Sequence, residues 1–224
     1  MKENVLIEIL KSLPIFYKIH PEDIPTLIQC LGAVTKTYHK GEYLLHEGQD
    51  ITHLLVILQG QVDMYKNSGT VSSLMKRAAK GDVLGAASIG RETCPCQMSA
   101  VAVSSCTVLA IPYRRLMFHC TRNCPFHHLL VKNLVITISE GQRHLYEKIL
   151  VISQKSIRDK ILVFLRLQTP TAEDGSVTIP YSRTELAQYL CADRSALSRE
   201  LALMQREGIL SIQENTFILL NPSA

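Results

Sequence analysis

Residues 182–210, SRTELAQYLCADRSALSRELALMQREGIL, decide how the chain is read. Ser182 followed three places later by Glu185 is a capping box, in which each side chain satisfies an amide orphaned at a helix start. Leu186, Ala187 and Leu190 then recur at helical spacing. The pattern breaks at Cys191-Ala192, and Asp193 suits the cap of a second helix. In that helix Leu197, Leu201 and Met204 fall at i, i+4 and i+7, which makes one buried stripe. Ser195, Ser198, Arg199 and Ala202 lie opposite, with Arg194 in the first turn. Small and basic residues on the outer face of a short second helix suit a DNA major groove.

An ordinary helical hairpin would carry the same capping box. What separates the two readings is the pairing of short helices through a tight turn, followed by Gly208 and a β-hairpin over 209–219 with Glu214-Asn215 at its tip. That is the order of a winged helix-turn-helix. Within 182–208 four arginines (Arg183, Arg194, Arg199, Arg206) meet four acids (Glu185, Asp193, Glu200, Glu207). The case for nucleic acid therefore rests on which face the arginines occupy, not on their number.

Immediately upstream, 157–167 reads as an apolar helix and 168–177 (QTPTAEDGSV) as a polar loop, so the DNA-binding domain is expected over 153–224. Before it, 126–152 is a long helix. Val131, Val135, Ile138, Gln142, Leu145 and Ile149 alternate spacings of four and three, a heptad seam of about five turns. A helix packed only on its own domain calls for a wider stripe, so the narrow seam favours pairing with a second copy. A two-fold homodimer presents two reading heads to a palindromic operator.

Residues 35–112 change period. Short apolar or alternating runs are divided by Gly41, Gly48, Gly60, Asn67-Ser68-Gly69, Gly81 and Gly90, the mark of a small β-barrel or sandwich. Residues 54–58 are a buried strand, 61–65 alternate with Val62 and Met64 on one side, and 106–111 form a strand stopped by Pro112. A short helix is expected over 113–120. Residues 1–34 read as two helices, the first with Val5, Ile9 and Leu10 on one face, the second opened by Pro21 and closed by Gly32. Residues 1–125 thus form a sensor domain.

The 224 residues, 46 % of them hydrophobic, support proper cores. No run of eighteen apolar residues exists, and MKENVLIEIL has charges within its apolar part and no small-residue cleavage site. A cytoplasmic protein with no membrane partner is expected. The net charge of +4 is too mild to imply a nucleic-acid partner by itself. Seven cysteines, an odd count, are expected as reduced thiols, with Cys30, Cys106 and Cys191 packed as small hydrophobes. No nucleophile–base pair, phosphate loop or metalloprotease motif appears, so an enzyme is not expected.

Taken in series, these elements resemble the CRP/FNR family of bacterial transcription regulators over nearly the full length. The carriers are KGEYLLHEGQDITHLLVILQGQVDMY (40–65), the long helix, and TELAQYLCADRSALSRELALMQREGIL (184–210). The resemblance implies an α+β chain: an N-terminal cyclic-nucleotide-binding-type β jelly roll, a long dimerisation helix and a C-terminal winged helix-turn-helix. It implies double-stranded DNA as partner, with RNA polymerase as a further one. By position Arg199 looks like the family's guanine-reading arginine, able to donate twice to O6 and N7. Ser195 and Ser198 would face neighbouring bases, Arg194 a base or phosphate, and Ser182 and Arg183 the phosphate backbone. Cys191 stands where many relatives have glycine, which implies a positive φ.

The sensor departs from the family pattern in GDVLGAASIGRETCPCQMSA (81–100). Gly85 is present, but Ala86 replaces the ribose-binding carboxylate, and Met98 precedes Ser99 where the phosphate-binding arginine should stand. Without that cation a buried cyclic phosphate lacks its charge partner. The expected effector is therefore a small molecule other than cyclic AMP, in a pocket of Gly85, Ala86, Ala87, Met98 and Ser99, with Arg143 or His144 approaching from the long helix. The alternative is a metal-, haem- or thiol-redox-sensing regulator on the same scaffold. Its ligands would come from Cys120, Cys124, His127 and His128, residue types suited to zinc, copper or haem.

Overall fold

The computed structural model describes residues 3–68, 71–86, 95–117 and 125–220. They form two compact units: residues 1–67 with 76–142, and residues 68–75 with 143–224. The division falls inside the long helix, between Gln142 and Arg143, rather than at its ends.

α1 (Glu3–Leu10) and α2 (Ile24–Leu31) precede eight strands: β1 (Val34–Tyr38), β2 (Tyr43–Leu45), β3 (His53–Gln59), β4 (Val62–Ser68), β5 (Val71–Ala78), β6 (Val83–Leu84), β7 (Ser99–Ala102) and β8 (Cys106–Pro112), all in the first unit except Ser68 and the first five residues of β5, 71–75. They form two four-stranded sheets, ordered β1-β8-β3-β6 and β2-β7-β4-β5, an N-terminal β-sandwich as expected. The long apolar run of β3 follows from its place. Leu54, Val56 and Leu58 pack towards α1, α2, α3 (Tyr113–Met117) and α4 (Pro125–Ile152), whereas Leu55 and Ile57 pack between the sheets. A strand covered on both faces loses the polar alternation of a half-exposed one. β8, antiparallel to β3 with Leu55 opposite Ala110, divides in the same way: Leu109 and Ile111 outward, Val108 and Ala110 inward.

Gly60 turns β3 into β4 at φ +91°. A Cβ there would lie 2.4 Å from the Ser105 carbonyl oxygen, so only glycine fits.

Three details depart from the sequence pattern. Val5 is 50 % exposed; it is Leu6, Ile7, Ile9 and Leu10 that turn to the core. Beside Val62 on β4, Asp63 is also buried and takes a bidentate ion pair from Arg77 (2.7 and 2.8 Å), with the Tyr65 hydroxyl donating at 3.2 Å. Asn133 of α4 is buried and donates to the carbonyls of Ile15 and Tyr17, tying the helix to the turn before α2.

The second unit holds the end of α4, then α5 (Ile157–Leu167), β9 (Val177–Thr178), α6 (Arg183–Tyr189), α7 (Arg194–Arg206), β10 (Leu210–Gln213) and β11 (Thr216–Leu219). Ser156 caps α5 by accepting from the Asp159 amide at 3.0 Å. The hairpin β10–β11 closes through Glu214-Asn215, and β9 (Val177–Thr178), which begins at the last residue of the stretch read as a polar loop, adds to β11 as a third strand. Ile161, Phe164, Leu165, Leu186, Leu190, Leu197, Leu201, Met204, Leu210 and Phe217 are all buried. At about 1.5–3 kcal/mol for each large apolar side chain, this core holds the three helices and the wing as one body.

Candidate nucleic-acid interface and sensor residues

The capping box of α6 is present in full: the Ser182 hydroxyl accepts from the Glu185 amide at 3.3 Å, and the Glu185 carboxylate accepts from the Ser182 amide at 2.7 Å. After α6 the chain turns through Cys191 at φ +48°, the left-handed conformation that the resemblance implies there. The thiol is exposed, not packed among apolar neighbours, whereas Cys106 is fully buried.

Asp193 caps α7, accepting from the Ala196 amide at 2.9 Å and from the Ser195 hydroxyl at 2.5 Å. Those two bonds hold its carboxyl below the usual carboxylate range. Leu197, Leu201 and Met204 are buried, and Arg194, Ser195, Ser198 and Arg199 are exposed on the opposite side. The Ser198 hydroxyl donates to the Arg194 carbonyl at 3.0 Å, and Arg199 Nε reaches the Ser195 carbonyl at 3.4 Å. Both are local bonds of exposed side chains, easily exchanged for a base edge or a phosphate.

The charge balance of the segment is settled by geometry. Glu185 serves the α6 cap and Asp193 the α7 cap. Arg158 of α5 takes both Glu200 (2.6 Å) and Glu207 (2.8 Å). All four acids are thus engaged within the unit, while Arg194, Arg199 and Arg206 stay exposed. Arg183 is different. Its Nη2 donates to the Glu214 carbonyl at the wing tip (2.7 Å), its guanidinium lies 4.8 Å from the Phe217 ring, and its Nη1 is buried without a partner. Burial pulls that guanidinium below its usual pKa. The structure thus places Arg183 against the wing and Ser182 exposed at the helix start.

The sensor residues are placed less simply. The Gly85 carbonyl accepts from the Tyr113 hydroxyl at 2.6 Å, and a Cβ on Gly85 would stand 2.7 Å from that oxygen. Ala86 is half-buried against the helical side of the core. Ser99 is buried on β7, its hydroxyl accepting from the Glu47 amide at 3.2 Å, and the half-buried Met98 accepts at its carbonyl from the Cys96 thiol. Ala87 lies outside the described residues. In the second unit Arg143 and His144 each pair with Glu147 (2.7 and 3.2 Å). A polar cleft of about 150 Å³ that the sequence does not announce opens among Lys36, Tyr38, His46, Asp50, His53 and Cys96. There burial, helped by Lys36, lowers the His53 pKa, and Thr52 bonds its Nδ1 at 2.8 Å.

Of the alternative ligand set, Cys120 and Cys124 lie outside the described residues. His127 Nε2 donates to the Leu116 carbonyl at 2.7 Å, and His128 is exposed. Among the described residues no group of three or more His, Cys, Asp or Glu could hold a metal ion. Among them, too, no helix is long and apolar enough to cross a membrane.

On α4 the exposed apolar residues are Val135, Ile136, Leu145, Tyr146, Ile149 and Leu150, with Tyr146 at 71 % and Ile149 at 57 %. Val131 and Ile138 are half-buried against the unit's own core. The open face is therefore broader than the seam read from the heptads, and turned towards Tyr146 and Leu150.

Comparison with known proteins agrees with this geometry. Residues 35–123 match the family described as cyclic nucleotide-binding domain, and residues 161–224 the Crp-like helix-turn-helix domain. The anaerobic regulatory protein of Bacillus subtilis (strain 168) is 22 % identical over 201 residues, covering 89 % of this chain and 84 % of that protein. Among solved structures, the c-di-GMP-responsive global regulator CLP of Xanthomonas campestris is similar with a TM-score of 0.71 at 17 % identity, covering 89 % of this chain and all of that one. FixK2 of Bradyrhizobium japonicum gives 0.62 at 20 % identity, over 85 % of this chain and 93 % of that one. A β-sandwich sensor followed by a helix-turn-helix head defines a DNA-binding transcription regulator with an effector-binding domain. The chain belongs to the CRP/FNR family.

Proposed function

We propose that the protein is a homodimeric, cytoplasmic regulator that reads a palindromic operator through two copies of α7 and is switched by a small effector other than cyclic AMP. The observation that carries the reading is the outer face of α7: Arg158 takes Glu200 and Glu207 and Glu185 serves the α6 cap, so Arg194 and Arg199 stand exposed beside Ser195 and Ser198, with the ionised Asp193 confined to the cap at the start of the helix. Arg199 donates to a guanine edge, Ser195 and Ser198 approach its neighbours, and Arg194 and Ser182 bind phosphate. The exposed apolar face of α4 is what a second copy would cover. Against cyclic AMP stand Ala86 and Met98, at positions where a carboxylate and an arginine would hold ribose and phosphate. The effector acts by binding the DNA-competent and incompetent states unequally, and the DNA-bound dimer presents a surface to RNA polymerase.

Selection of bound duplexes from a random pool, with and without cell extract, tests the reading. The expected winner is an inverted repeat with half-sites about one helical turn apart, roughly 34 Å. Enrichment of an asymmetric or single site sinks the dimeric part, and no enrichment sinks the DNA-binding part.

A further inference from the structure

The second unit contains a buried cation that DNA contact does not use. Lys148, near the end of α4, is 2 % exposed, and among the described residues no carboxylate pairs with it. Its ammonium donates to the carbonyl of Leu74, in the 68–75 segment, at 3.0 Å, and to the carbonyl of Tyr189, the last residue of α6. The nitrogen also stands 3.8 Å from the centre of the Tyr189 ring. That ring is braced in turn by Tyr181, at 5.4 Å between centroids, and Phe164, at 5.2 Å. One residue further on, Lys160 of α5 donates to the Leu190 carbonyl at 3.2 Å. The carbonyl end of α6, where a helix leaves its acceptors unsatisfied and partly negative, is thus held by ammonium groups from α4 and α5.

Burying an amine is costly. Here burial, with Lys160 nearby, lowers the Lys148 pKa to about 8, partly opposed by Cys191. A methionine would fill the same volume without that cost, so what the charge adds is direction. An ammonium has three donors, and this one has two carbonyls and a ring face before it. An apolar contact between helices tolerates sliding, whereas a saturated ammonium fixes three segments in one arrangement.

We infer that Lys148 is a positioning residue for DNA reading: it fixes the orientation of the α6–α7 head on the end of α4, and so sets the spacing at which two heads meet two half-sites. The inference rests on the dimeric, palindrome-reading function proposed above. It acts through the Tyr189 carbonyl and not through contact with DNA, because the ammonium is enclosed.

The test uses the full chain, as wild type, Lys148→Met and Lys148→Gln, at one fixed salt concentration because phosphate contacts make affinity salt-dependent. Affinity is measured for the selected palindrome, for a single half-site, and for palindromes with the spacer lengthened or shortened by one and two base pairs. Each variant should keep its half-site affinity, lose palindrome affinity by roughly tenfold or more as the effective concentration of the second head falls, and discriminate less between spacers. A residue that serves only stability would lower the melting temperature and leave both the palindrome-to-half-site ratio and the spacer preference intact; that result overturns the inference. Should Lys148→Met fail to fold, Lys148→Gln, which keeps two donors without the charge, decides it alone. If the wild type binds the palindrome no better than a half-site, the dimeric reading itself has failed, an outcome visible before any variant is compared.

Discussion

The outer face of α7 and the strand end at Gly85 are the two places proposed to meet another molecule, and they are built in opposite ways. On α7 Asp193 is tied to the cap and Glu200 and Glu207 to Arg158, and the arginines are left facing out. In the sandwich several polar groups already have partners. The Gly85 carbonyl holds the Tyr113 hydroxyl, the Ser99 hydroxyl holds the Glu47 amide, and Arg77 holds Asp63 beneath the surface. A ligand of the head therefore meets charge that is free, whereas a ligand of the sandwich must exchange existing hydrogen bonds for its own. The first arrangement suits a partner that is always polyanionic. The second suits a switch, because displacing a satisfied bond moves the elements that made it.

The comparison breaks most sharply at the helix that serves both regions. Ile149→Lys puts an ammonium on the exposed face of α4 in both copies at once. If each isoleucine contributes about 1.5–3 kcal/mol through burial, the dimer should weaken by roughly two to four orders of magnitude. Sedimentation should then show monomer at micromolar protein, with each head still binding a half-site. A dimer that survives this change is held by some other surface.

Next in size is Asp63→Ala. It removes the bidentate carboxylate that Arg77 holds in the buried pair, a change that costs about 3–5 kcal/mol in pairs of this kind. The loss should fall on the first unit alone. Calorimetry is expected to show one transition moving down and a second unmoved, and half-site affinity should hold. Loss of half-site affinity in the folded variant would mean that the two regions are not independent.

The same contrast explains what could be read from the chain alone. The winged head was legible nearly residue by residue, because its caps, its buried stripe and its basic face are written at fixed spacing on short regular elements. The exceptions there are β9, the exposed Cys191 thiol and, above all, Arg183. By position it belongs to the phosphate backbone, yet a contact 31 residues on, at the wing tip, decides where its guanidinium lies. The sandwich was legible as a class, and β3 and β8 as strands, but not the partners of its polar groups. Asp63 with Arg77, Gly85 with Tyr113 and Ser99 with Glu47 are separated by 14, 28 and 52 residues, and no periodicity encodes such pairs. Lys148 was missed for the same reason: between Glu147 and Ile149 it reads as an ordinary helix charge, and only the 68–75 segment and Tyr189 make it buried.

Arg199→Ala tests the exposed side of the comparison directly. Specific affinity should fall by about 1–3 kcal/mol, and preference at one base pair of each half-site should relax. A uniform loss across sequences, with the salt dependence reduced by about one ion per head, would make Arg199 a phosphate ligand instead.

The smallest effect is expected at Cys191. Its φ of +48° is one that a side chain with a Cβ adopts at a cost of about 1–2 kcal/mol. Glycine would remove that strain but adds about 0.4–1 kcal/mol of chain freedom to the unfolded state. The Cys191 thiol is exposed, with a 3.9 Å contact to Ser73 and an electrostatic influence on Lys148, so little packing is lost in exchange. Cys191→Gly should therefore stabilise the second unit by a few tenths of a kcal/mol up to about 1 kcal/mol, read as a melting temperature a few degrees higher at most. Because α6 and α7 keep their caps and Lys160 still finds the Leu190 carbonyl, DNA affinity should not change. If the glycine variant melts lower, the turn gains more from its thiol than its strain costs, and Cys191 belongs with Lys148 among the groups that hold the head in place.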